Sequence, residues 1–187
     1  MSLYPFALFL HIVGALGLFA TIGLEWMSLR TLRQAETTVE VQVAAGGLNV
    51  VRRVGTISML TLLVAGLYMM ATSWGGTPWI IVTLLSLLLF PLLGMLGGRR
   101  LAVLGQALGP QAPRGALTPS LREQLQHPMI QASLQIRTAV ALGIVFLMTV
   151  KPDWVGAIAT MLVALILGIA SALPAFSRGR VQQRQEV

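Results

Sequence analysis

Five stretches of this chain run for about twenty residues each with almost no charge. That is the length an α-helix needs to cross the hydrocarbon core of a bilayer. They cover residues 3–28, 54–73, 78–97, 132–150 and 154–176. Only Trp74-Gly75-Gly76-Thr77 separates the second from the third, and only Lys151-Pro152-Asp153 the fourth from the fifth. Each of these pairs is therefore expected to form an antiparallel hairpin, with both turns on the same side of the membrane. Polar segments at 29–53 and 98–131 connect the hydrophobic blocks, and a polar tail covers 177–187. The pattern predicts an all-α integral membrane bundle of five transmembrane helices in a single domain.

The polar segments carry local signals of their own. Helix one is expected to run on through Arg33, and helix three through Arg100 to about Leu108, before the break at Gly109-Pro110-Gln111-Ala112-Pro113. Ser120-Leu121-Arg122-Glu123 reads as a capping box opening a short helix, and Pro128 as the first-turn residue of helix four. No internal repeat is evident.

Charge gives the orientation. Arg30, Arg33, Arg52, Arg53, Arg99, Arg100, Arg114, Arg122, Arg137, Arg178, Arg180 and Arg184 fall on one side, and Lys151 alone on the other. Basic flanks mark the cytoplasmic face, so the N-terminus is expected outside and the C-terminus inside, in a bacterial inner membrane. Trp74, Trp79 and Trp154 then lie at the outer interface, where amphipathic rings collect, and Trp26 at the inner one. The net charge of +7 is a topology signal and not a nucleic-acid footprint, because the basic residues flank apolar runs and form no patch with interleaved aromatics. The bilayer is the partner implied; a second copy or a membrane subunit is left open.

Composition supports this. Of the 187 residues 56% are hydrophobic and 10% charged, against about 25% charged in soluble domains. There is no cysteine, which excludes disulfides, thiolate metal sites, iron–sulfur clusters and covalent c-type haem. No Lys or Arg precedes Arg30, and the first apolar run is too long for a signal-peptide core, so helix one is expected to stay.

Ionisable residues inside a membrane are costly and tend to face the bundle interior. His11 and Glu25 lie fourteen residues apart on helix one, four turns, so they share a face with Tyr4, Gly14, Leu18 and Thr21. At about 1.5 Å per residue they sit roughly 21 Å apart, marking an outer and an inner site. On helix two, Gly55, Ser58, Met59, Ala65, Gly66, Met69 and Ser73 form a small and polar face. Met69 stands nearly level with His11 in the outer half. Imidazole and thioether together suit haem iron or copper, so His11 and Met69 are the cofactor candidates, with His11 as metal ligand. The competing reading has His11 hydrogen-bonded across a helix interface and Met69 filling space. His127 lies at the other end and cannot share a metal with His11. At the inner end Glu25 is expected to pair with Arg137, near Gln131 and Gln135, with Arg52 or Arg53 as second donor. No phosphate loop, zinc-ligand pair or nucleophile elbow is present, so no catalytic residue is assigned.

Leu10-His11-Ile12-Val13-Gly14-Ala15, followed by Glu25-Trp26 and Arg30, resembles the first helix of a superfamily. That superfamily holds the copper-resistance-protein-D-like membrane proteins and the bacterial haem-containing protoporphyrinogen oxidase. Arg52-Arg53, Gly66-Leu67 and Val150-Lys151-Pro152 are similar too. The resemblance implies a haem-ligating role for His11. Two departures argue against oxidase activity. Ile80, Ile81 and Val82 stand where helix three would carry a lysine, and Thr138-Ala139 follows Arg137 in place of Asn-Glu. A copper carrier calls for more His and Met on its outer face than Met69, Met70 and Met148 supply. The implied function is a five-helix membrane protein binding haem b or copper in the outer half of the bundle. The alternative is a cofactor-free small transporter or a structural or partner subunit of a membrane complex.

The charge count makes a direct prediction. Alkaline phosphatase fused after Gly76 or Asp153 is expected to be active, and fused after Pro113 or Val187 inactive. Activity at Pro113 would overturn the N-out, C-in orientation.

Overall fold

In a computed structural model, residues 3–107 and 115–185 are described, with side chains for 3–95 and 115–174. The break at 109–113 and Arg114, with the side chains of Arg99, Arg100, Arg178, Arg180 and Arg184, lie outside the described residues. The chain is all-helical: α1 (Tyr4–Gln34), α2 (Thr38–Met69), a π-helical turn (Met70–Trp74), α3 (Pro78–Ala107), α4 (Pro119–Gln126), α5 (Pro128–Val150) and α6 (Trp154–Gln185). Among the described residues five helical stretches are long and apolar enough to cross a membrane: Tyr4–Gln34, Thr38–Trp74, Pro78–Met95, Pro119–Val150 and Trp154–Pro174. Their outward faces carry Phe9, Leu16, Ile57, Val64, Leu88, Leu142 and Ile166, all largely exposed. A bare surface of that kind needs lipid to cover it.

The largest departure from the hydrophobic pattern lies in 29–53. It reads as a loop, yet it is helical except for Ala35-Glu36-Thr37. Glu36, Glu40, Arg52 and Arg53 make it too polar for a membrane span, but Val41, Leu48 and Val51 still recur at helical spacing. Val41 and Leu48 join Leu32, Ala35, Leu121 and Leu125 in a second, smaller core beyond the membrane helices. Thr37 caps α2 by accepting the Glu40 N–H at 3.3 Å, and the Glu40 carboxylate accepts the Glu36 N–H at 2.9 Å. The anticipated box at Ser120 is replaced. Thr118 is the N-cap of α4, without a side-chain cap bond, and Pro119 opens the helix. Before α5, His127 caps by accepting the Met129 N–H through Nδ1 at 3.2 Å. An isolated antiparallel bridge between Thr37 and Ala116 ties the two polar connections together.

The helices form two layers. α1 lies along α2, while α5 is sandwiched between α3 and α6. α2 and α3 share a short turn but touch little, so the layers meet mainly through α1 and α5. Small residues set the spacing within layers, as they do where lipid leaves no hydrophobic drive between helices. A Cβ on Gly14 would stand 2.9 Å from the Leu62 backbone nitrogen and 3.0 Å from the Ser58 carbonyl oxygen. Only glycine lets α1 and α2 approach so closely. Gly143, Ala164 and Gly168 do the same between α5 and α6.

Gly14→Val is therefore expected to force α1 off α2 and lower stability by about 1–3 kcal/mol. Gly23→Ala, with nothing within 4 Å of its added Cβ, is expected to be neutral or slightly stabilising. Thermal unfolding of both variants in detergent checks the contrast.

Candidate functional site

The stripe on α1 faces inward. Gly14, Leu18 and Thr21 are buried, and His11 and Glu25 are half-buried at its two ends. Each end opens on a cavity between the layers. Leu18 on the wall of one cavity, and Leu62 and Leu87 on the wall of the other, belong to a single buried cluster.

At the inner end Arg137 on α5 meets Glu25 on α1. Nη1 donates to Oε1 at 3.4 Å and Nη2 donates to Oε2 in a closer contact. The two side chains are only 15% and 18% exposed, so water screens them little. The Arg137 guanidinium also lies 5.7 Å from the centre of the Phe90 ring. Neighbouring polar contacts join the same two helices: Trp26 Nε1 donates to Thr138 Oγ1 at 3.1 Å, and Arg33 donates to Gln131. Arg52 and Arg53 do not join the pair. Both are exposed on α2, and Arg52 instead lines the adjoining cavity. The Arg137 Nε is buried without a hydrogen-bond partner, as is the Gln135 Oε1.

At the outer end His11 Nδ1 lies 3.1 Å from the carbonyl oxygen of Leu62 on α2. A carbonyl only accepts, so Nδ1 carries the proton and Nε2 is left with a lone pair in the neutral ring. Gly66 makes room for the imidazole, because a Cβ there would sit 3.2 Å from His11 Cε1. The cavity beside the ring measures about 260 Å³ and is lined by Met69, Met70 and Met148 as well as His11. Thr83 also lines it, and its buried Oγ1 has no partner. His11 and Met69 thus share one cavity wall, while His127 sits at the start of α5. Among the described residues no three His, Cys, Asp or Glu side chains gather as a metal site.

A cap closes the outer end, and its members were not all foreseeable. Lys151 adopts φ 54° and lays its Nζ 4.0 Å from the centre of the Trp74 ring and 5.8 Å from that of Trp79. Trp79 stands edge-on to Trp74, with centroids 5.6 Å apart. Trp74 Nε1 donates to Tyr4 Oη at 3.1 Å. Lys151 is the sole lysine of the chain, which was the available signal. Thr83 carried none, since a threonine in an apolar helix commonly bonds its own backbone.

The Glu25–Arg137 contact sets up a mutant cycle. Glu25→Gln and Arg137→Gln are each expected to cost about 3 kcal/mol, the low end for a buried pair that keeps some water. The double variant is expected to lose less than the two losses added together. Strictly additive losses in detergent melts would show that the contact contributes nothing.

Compared with known proteins, the chain matches no family model, no curated protein and no solved structure.

Proposed function

We propose that this chain is a multi-pass protein of the bacterial inner membrane, N-terminus out and C-terminus in, that binds a copper ion at His11. One observation carries the reading. The Nδ1 edge of His11 is committed to the Leu62 carbonyl, which leaves Nε2 as the only ring atom able to coordinate. Metal-ligating histidines are oriented in this way, with the second nitrogen donating to a carbonyl or carboxylate. Met69, Met70 and Met148 line the same cavity and supply thioether sulfur. One imidazole with thioethers is a soft set that suits Cu(I).

Haem b is the second cofactor that this donor pair accepts, with His11 and a methionine as axial ligands. Size favours the ion. A cavity of about 260 Å³ lies below the ~300–1,000 Å³ typical of sites that enclose drug-sized molecules. A porphyrin would have to extend between the helices toward lipid. The resemblance of the α1 segment around His11 to the copper-resistance-protein-D-like superfamily supports a metal role without choosing between the two. The second, inner cavity favours a different reading, a cofactor-free small transporter or partner subunit.

Metal analysis and an absorbance spectrum of the protein purified from copper-supplemented cells separate these readings. About one copper per chain, lost in His11→Ala and reduced in Met69→Leu while both variants still accumulate, is the expected result. A Soret band abolished by His11→Ala would replace copper with haem. A folded, colourless, metal-free preparation would leave the cofactor-free reading.

A further inference from the structure

The outer cavity has a single cation in its wall, and that cation belongs to the cap. Lys151 lines the cavity together with Tyr4, Trp74 and Trp79, and among the described residues no carboxylate lines it. Asp153, two residues on, is turned to its own helix, where its Oδ1 accepts the Gly156 N–H at 2.9 Å. The backbone at Lys151 is unusual for a lysine. It ends α5 at φ 54°, with its N–H donating to the Leu147 carbonyl at 3.0 Å. Glycine or asparagine ordinarily fills that left-handed position. Here it holds the sole lysine among thirteen basic residues. Backbone strain of this kind gathers where a side chain has a task.

Trp74 is the loosest part of the cap. It is 39% exposed, whereas Trp79 is 8% exposed. Three contacts hold it, each from a different part of the fold. The Lys151 ammonium lies over its ring from the α5–α6 turn, Trp79 on α3 stands edge-on to it, and the Tyr4 hydroxyl on α1 accepts its N–H. Each is weak by itself at an exposed rim. Trp74 also ends the π-helical turn, in which the Gly75 N–H donates to the Met70 carbonyl at 2.8 Å, and Gly75 follows at φ 65°. Turns of this width recur at functional sites, and a glycine beside one can absorb a change of chain direction.

We infer that this cap is a gate that selects solutes by charge. It opens when Trp74 swings about Gly75 out of its three contacts. The Lys151 ammonium then stands at the rim and favours anionic and neutral solutes over cations. Lysine suits the place, being a compact charge on a flexible stem. The gate rests on the cavity and its cap. Its consequence for copper rests on the metal reading as well: the ion enters as a complex whose charge is offset by anionic ligands, not as the bare cation.

Thiol labelling tests the gate without any metal. The chain has no cysteine, so Thr83→Cys places a single thiol at a buried position in the cavity wall. The detergent-purified protein is treated with an anionic sulfonatoethyl or a cationic trimethylammonioethyl methanethiosulfonate. Each rate is divided by the rate with free 2-mercaptoethanol. The anionic reagent is expected to react about fivefold faster, the ratio for opposite unit charges passing ~8 Å from a third in a water-like dielectric. Lys151→Gln should bring that ratio to about one, and Lys151→Arg should keep it. Trp74→Leu should raise both rates about threefold or more while the preference for the anion stays, as loss of one exposed cation–π contact implies. Melting points within a few degrees of the parent's would exclude general loosening. Equal rates for the two reagents, or a ratio unmoved by Lys151→Gln, would overturn the charge selection. Rates unmoved by Trp74→Leu, or a thiol that stays unreactive in it, would overturn the gate. A metal-free protein that shows the expected ratios would remove the copper reading and keep the gate.

Discussion

A charged pair with little access to water has to be complete or absent, and the contact between Glu25 and Arg137 is the constraint around which this bundle is arranged. Each charge alone at that depth would carry a desolvation penalty that nothing nearby offsets. Together they require α1 and α5 to lie side by side. These two helices belong to different layers, and α1 meets α5 where α2 scarcely meets α3. Trp26 with Thr138, and Arg33 with Gln131, add neutral and charge-assisted bonds along the same seam. The seam is polar because the layers are not otherwise drawn together: leucine against leucine gains little over leucine against lipid.

Within the layers the argument reverses. There the helices approach by removing side chains. Gly14 and Gly66 let α2 come close enough for the Leu62 carbonyl to meet the His11 ring, so a packing feature decides the chemistry of the histidine. With a Cβ at position 66 the ring would have to shift by a few tenths of an ångström, against its bond to the Leu62 carbonyl. The close approach of α1 and α2 and the orientation of the His11 ring are one packing feature.

Much of this was legible in the sequence, and the reasons are specific. Membrane spans announce themselves because every backbone polar group in lipid must be satisfied inside the segment, so twenty apolar residues mean a helix. The three-residue turn does give a packed α5–α6 hairpin, but the four-residue turn does not give one between α2 and α3, which hardly touch because α2 packs along α1 and α3 along α5. The helical nature of 29–53 was hidden because hydropathy reports membrane, not helix. The spacing of Val41, Leu48 and Val51 and the capping pair Thr37 and Glu40 were the available signals. In the candidate sites, the sharing of a face by His11 and Glu25 followed from their fourteen-residue separation, because four turns return a side chain to the same side. The azimuth of Arg52 could not follow. Depth along the axis comes from counting residues, but which neighbour a helix turns a residue toward depends on packing, and Arg52 turns to the cavity, not to Glu25.

The two ends of the α1 stripe show how one helix can carry two unlike sites. His11 is half-buried next to an apolar, thioether-rich wall, where a neutral ring with a free lone pair costs little. Glu25 sits at the other end of the stripe, half-buried, with the Arg137 guanidinium against its carboxylate. Exchanging the two residues would fail at both ends. A carboxylate among methionines would have no counter-charge, since Lys151 is held over Trp74 and Trp79. A histidine beside Arg137 would leave the guanidinium without a counter-charge. The order of polar residues along α1 is therefore set by the dielectric profile of the bilayer, and Leu18, Leu62 and Leu87 hold the two environments apart.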